Sequence, residues 1–142
     1  MSALYDTDIV TWSEQQAALL RRRAAGEAEI DWPNVAEEIE SVGQSQVDAV
    51  ELLLYQSLLH DLKAAAWPNS RNADGWRGDA RGFRAQARRK FRESMRRKLD
   101  IAGLYADALE ALPETMDAVL ALAVEQACPV TLDELLQPAQ VD

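Results

Sequence analysis

Residues 31–68 read DWPNVAEEIESVGQSQVDAVELLLYQSLLHDLKAAAWP. Ile39, Val42, Val50, Leu53, Leu54, Leu58 and Leu62 recur at intervals built from three and four, which keeps one face of a helix apolar. Pro33 suits a first helical turn, where a missing N–H costs nothing. Two caps fit the start: Asp31, or Asn34 with Glu37 three residues on as a capping box. Gly43 weakens the helix by about 1 kcal/mol relative to alanine without breaking it. Pro68 ends it. The pattern predicts one helix over about 33–66, the longest element and the spine of the fold.

The segments on either side of this helix also read as helical. Upstream, Asp6 to Asp8 carry capping oxygens, Ile9, Trp12, Ala17, Leu19 and Leu20 form a partly apolar face, and Arg21–Arg23 with Gly26 close a helix over about 7–24. Downstream, residues 68–75 are loop chemistry. Trp76, Ala80, Phe83, Ala87, Phe91 and Ser94 then form a stripe that predicts a helix over about 75–98, loosened early by Gly78 and Gly82. Leu104 to Leu112 suggest a short fourth helix, and Pro113 opens a fifth through Met116, Val119, Leu120 and Val124. In the tail, Thr131 and Glu134 make a capping box, with Val130 and Leu135 at the staple positions and Pro138 as the stop. No segment alternates for long enough to read as a strand. The expected fold is an all-α compact bundle of five or six helices in one domain, residues 1–142.

Composition narrows the setting. Apolar residues make up 48% and charged residues 27%, which describes a globular chain. A lone cysteine, Cys128, has no internal disulfide partner, so a reducing, cytoplasmic compartment is expected. The acidic first eight residues do not read as a signal peptide. The longest apolar run, Ala118–Val124, is far short of the roughly 20 residues of a membrane span. The net charge of −9 hides an asymmetry: residues 1–70 carry −8, residues 71–98 carry +8 and residues 99–142 carry −9. Whatever the basic segment touches is acidic.

Three blocks carry a resemblance. They are Leu4 to Trp12 (LYDTDIVTW), Asp31 to Gly43 (DWPNVAEEIESVG) and Leu58 to Lys63 (LLHDLK). Trp76 with its following arginines, Leu112-Pro113 and Cys128 to Leu136 extend it over nearly the whole chain. The chain resembles the bacterial domain-of-unknown-function family 29, an uncharacterised all-helical family. The resemblance implies a small helical bundle and no particular activity.

Candidate chemistry is sparse. His60 is the only histidine, and with Asp61 or Glu38 it forms the weak catalytic candidate, a general base beside a carboxylate. A structural histidine bonded to a neighbouring carboxylate is the simpler reading. Glu37, Glu38 and Glu40 also sit where helix-dipole attraction alone explains them. A carboxylate-bridged di-iron site needs two Glu-x-x-His pairs, and Ser57 stands three residues before His60, so no metal site is expected. Zinc also fails, because one cysteine and one histidine are too few. Phosphate loops, dinucleotide fingerprints and a nucleophile elbow are absent, so no cofactor is expected.

The basic helix, about 77–98, has the strongest functional flavour. Arg77, Arg81, Arg84, Arg88 and Arg92 form a stripe rotated about 100° from the aromatic one. They are the candidate binding residues. The sequence favours a non-enzymatic interaction or regulatory protein whose arginines meet an acidic protein surface or a second copy of the chain. Nucleic-acid binding through 77–98 is the first rival, disfavoured by the acidic net charge. An enzyme using His60 with a carboxylate is the second.

Overall fold

A computed structural model describes residues 3–23 and 30–138. These residues form six α-helices: α1 (Ala3–Thr7), α2 (Ile9–Arg23), α3 (Trp32–Ala66), α4 (Ala73–Lys90), α5 (Ile101–Ala111) and α6 (Leu132–Leu136). A 3₁₀ segment, Glu93–Lys98, follows α4, and strands β1 (Thr115–Met116) and β2 (Val119–Leu120) make a small antiparallel ribbon. The fold is all-α and built on the long helix α3. The Gly26 stop signal lies outside the described residues. No described helix is long and apolar enough to cross a membrane. The chain divides into two units, residues 1–49 with 91–99, and residues 50–90 with 100–142.

In the first unit, the single helix expected over 7–24 is two. Asp8 interrupts it, because its carboxylate accepts the Thr11 N–H at 3.1 Å and the Thr11 hydroxyl at 2.8 Å and so caps α2. The Ser94 hydroxyl donates to the same carboxylate at 2.8 Å, tying the 3₁₀ segment to that cap. Asp31 resolves the open start of α3: Asn34 donates to it from its backbone N–H, at a long 3.4 Å, and from its side chain at 2.6 Å. Val10, Ser13 and Ala17 of α2 are buried, as are Ala36, Gly43 and Val47 of α3. Val42, expected on the apolar face, is exposed instead. The buried line runs through Gly43, where a Cβ would overlap Ser13 Oγ and stand 3.2 Å from Val10 Cα. Glycine therefore lets the α2 backbone approach closely.

In the second unit Val50, Leu54, Leu58 and Leu62 are buried on α3. Ala73, Ala80 and Ala87 are buried at heptad intervals on α4. The basic helix is shorter than the expected 75–98. It ends at Lys90, and Arg92 has extended backbone. Phe91 and Ser94 thus leave the α4 stripe and join the first unit. Asp100 caps α5 by accepting the Gly103 N–H at 3.0 Å.

The helix expected to restart at Pro113 is replaced by the β1–β2 ribbon. Thr115 pairs with Leu120 and Met116 with Val119. Both turn residues, Asp117 (φ 51°) and Ala118 (φ 64°), are left-handed, the signature of a two-residue primed turn. Tertiary partners capture this backbone: Trp67 Nε1 donates to the Val119 carbonyl and the Leu122 N–H to the Ala66 carbonyl, each at 2.9 Å. Ala66 is the last residue of α3, and its carbonyl would otherwise lack a partner. The tail follows its sequence. Thr131 and Glu134 form the reciprocal capping box of α6, and Leu135 is buried.

Candidate functional site

Three- and four-residue steps place Arg77, Arg81, Arg84 and Arg88 on one flank of α4, beside the buried alanine line. They differ in what they touch. Arg84 is half-buried and donates to Asp61 Oδ2 on α3 at 2.7 Å. Arg77 pairs at 3.0 Å with Asp74 of its own helix. Arg88 reaches the Gln137 carbonyl at a long 3.4 Å. Arg81 is exposed, and its charge acts on Asp61 from a distance. Arg92 belongs to the first unit, where it donates to the Thr7 carbonyl at 3.0 Å and the Phe91 carbonyl at 2.9 Å.

His60 and Asp61 also lie in the second unit, whereas Glu38 is an exposed residue of the first. His60 Nδ1 lies 2.7 Å from the Gln56 carbonyl, one turn back on its own helix. The tautomer that satisfies this carbonyl carries its proton on Nδ1, leaving Nε2 as the basic nitrogen. Among the described residues the carboxylate nearest to Nε2 is Asp79 of α4, at 4.0 Å, and the ring rests against Phe83. Asp61 serves Arg84 instead. Burial pushes its carboxyl above the ordinary value, and the Arg84 charge and hydrogen bond only partly oppose that rise. Asp61 also edges a cleft of about 190 Å³ lined by Leu58, Leu62, Tyr105, Val124 and Val130. The Tyr105 hydroxyl donates to the Glu125 carbonyl at 2.5 Å, and the Cys128 thiol to the Val130 carbonyl at 3.2 Å. Burial first, then nearby Cys128 and Glu125, raise the Tyr105 pKa. Among the described residues no three His, Cys, Asp or Glu side chains stand close enough to hold a metal ion.

The second unit also contains an apolar cavity of about 270 Å³ where α3 ends. Trp67, Pro68, Met116, Val119, Leu120 and Leu122 line most of it, with Arg71 and Asp117 as its charged lining.

The model of the family described as "Domain of unknown function DUF29" matches residues 4–140. The chain belongs to this family. Among solved structures, the DUF29 chain is similar to an alpha-helical protein of unknown function from Rhodospirillum rubrum. Identity is 20%, the match covers 96% of this chain and 90% of that one, and the TM-score is 0.78. That likeness is one of fold. No curated protein matches the chain.

Sequence reasoning about this DUF29 chain missed the cavity and its ribbon. The available signal was Asp117-Ala118 between Thr115-Met116 and Val119-Leu120, a weak form of the Asp-Gly two-residue turn. The stripe of five arginines was visible, but not its division into one cation holding α3, one bound in the other unit and the rest on the surface.

Proposed function

We propose that this chain is a non-enzymatic interaction protein that receives an acidic protein surface on the outer flank of α4. One observation carries the reading. Arg81 and Arg88 are exposed seven residues apart on one helix, and neither has a carboxylate within 4.0 Å among the described residues. Exposed guanidinium groups spaced by two helical turns match discrete carboxylates and form bidentate pairs with them. Asp74 and Asp79, with side chains 100% and 61% exposed, stand on the same helix. Those acids oppose a continuous phosphate backbone, and so does the net charge of −9. A folded partner can place its carboxylates between them. The His60 arrangement supports a structural role: Nδ1 meets the carbonyl one turn back on its own helix, and the ring packs on Phe83 of α4, with the Asp79 carboxylate 4.0 Å from Nε2.

Arg84 pairs internally, so the informative variant is Arg81→Glu with Arg88→Glu. A photo-cross-linker at position 85, between the two arginines, identifies what docks in the cell. The expected partner peptide is acidic, and the purified complex weakens at least tenfold in the double variant. Micromolar binding of a mixed RNA and DNA pool at about 0.15 M salt, lost in the same variant with its helicity intact, would overturn the reading.

A further inference from the structure

We propose that the apolar cavity and the β1–β2 ribbon form an isologous interface between two copies of this chain. The proposal rests on residues other than the α4 arginines.

The patch holds both halves of a knob-and-hole contact. Leu120, on β2, is 73% exposed, and Val119 and Leu122 are each 57% exposed. Together with Trp67, Pro68 and Met116 these three side chains also wall the 270 Å³ cavity, which has room for one or two large apolar side chains. A contact that repeats about a two-fold axis must be self-complementary, and a surface that carries both a protrusion and a recess able to take it meets that condition. The two charges follow the same rule. Arg71 lies at the loop end of the lining and Asp117 at the ribbon tip, with no ion pair between them. In a two-fold pairing Arg71 of one copy faces Asp117 of the other, and the contact occurs twice. An acidic peptide would satisfy Arg71 but meet Asp117, and a basic one the reverse; a second copy satisfies both.

The patch is also pre-formed. Trp67 Nε1 and the Leu122 N–H fix the ribbon against the end of α3. Ala118 is held in the left-handed region, at a cost of about 1–2 kcal/mol for a residue with a Cβ. The fold thus retains strain to hold a ribbon whose large side chains face water. A surface fixed beforehand loses little conformational entropy on docking.

Sedimentation velocity on the full chain across roughly 1–100 μM tests this. Wild type should dimerise in that range, and Leu120→Glu should weaken the dimer at least tenfold. Arg71→Asp sets Asp against Asp at both contacts, and Asp117→Lys sets Lys against Arg, so each should weaken its own homodimer. An equimolar mixture of these two variants should recover a heterodimer within threefold of wild-type affinity, because both contacts again join opposite charges. Circular dichroism confirms that each variant keeps its helices, and the charge exchange decides the case if Leu120→Glu loses them. A wild type that stays monomeric, a dimer indifferent to all three substitutions, or a mixture that fails to recover overturns the proposal. None of these variants touches Arg81 or Arg88, so loss of this dimer and loss of the acidic partner are separate results.

Discussion

Gly43→Ala sets two known effects against each other. Helix propensity alone favours alanine by about 1 kcal/mol in a helix interior. At this position the added methyl would overlap Ser13 Oγ and stand 3.2 Å from Val10 Cα and 3.4 Å from Ser13 Cβ. Ser13 is fully buried, and its hydroxyl donates to the Val10 carbonyl at 2.9 Å. Evicting that hydroxyl loses a buried hydrogen bond, about 1 kcal/mol. Pressing a methyl against the α2 backbone adds about 1–3 kcal/mol of overpacking. The net effect is a destabilisation of about 1–3 kcal/mol, opposite in sign to the propensity. Ser13→Ala removes the atom in the way, so the double variant should recover at least about 1 kcal/mol in a double-mutant cycle. Urea unfolding followed by tryptophan fluorescence measures all four corners. If Gly43→Ala alone stabilised the protein, or the cycle showed no coupling, the close approach of α2 and α3 would be refuted.

Four further outcomes follow from single residues. Leu54 is 0% exposed, so Leu54→Ala should cost about 2–5 kcal/mol through lost transfer energy and a cavity; a loss under about 0.5 kcal/mol in urea unfolding contradicts its place in the core. Ala118→Gly should stabilise by roughly 0.5–1 kcal/mol, because relief of the left-handed strain exceeds the entropy cost of glycine; a lower thermal midpoint would count against the primed turn. Thr131→Ala should cost about 1 kcal/mol by deleting the acceptor for the Glu134 N–H, with faster hydrogen exchange confined to α6 as the signature. Burial works to raise the Asp8 carboxyl, but hydrogen bonds from the Thr11 N–H, the Ser94 and Thr11 hydroxyls and the Val10 N–H prevail and hold it below its ordinary value. A depressed carboxylate contributes stability above its unfolded pKa and loses it as pH falls through the folded one. The stability gap between wild type and Asp8→Asn should therefore be widest near neutrality and close below about pH 4, and a gap constant with pH contradicts the assignment.

Helix α3 was legible because its signals are local and agree. Asp31, Pro33 and Pro68 bound it, and a spacing of three and four runs between them. The α6 box was legible for the same reason: its two hydrogen bonds join residues three apart. The candidate site was legible only as a list of residue types. Periodicity places Arg77, Arg81, Arg84 and Arg88 on one flank. It cannot say that Asp61, 23 residues earlier, claims Arg84, or that Arg81 and Arg88 stay at the surface.

Local pattern and composition are enough to set the helical class, the spine, the tail cap and the opposed charge of the segments. Each depends on contacts within one or two turns or on composition. The remaining features depend on long-range contacts. Gly43 reads as a weakness of α3 until Ser13 and Val10 are found against it. Pro113 opens what looks like a helix, yet Leu122 and Val119 give backbone groups to Ala66 and Trp67, about fifty residues away in the chain, and the segment becomes a ribbon. Helical periodicity measures only which face could be buried. Whether it is buried, and by what, depends on partners that folding brings from elsewhere.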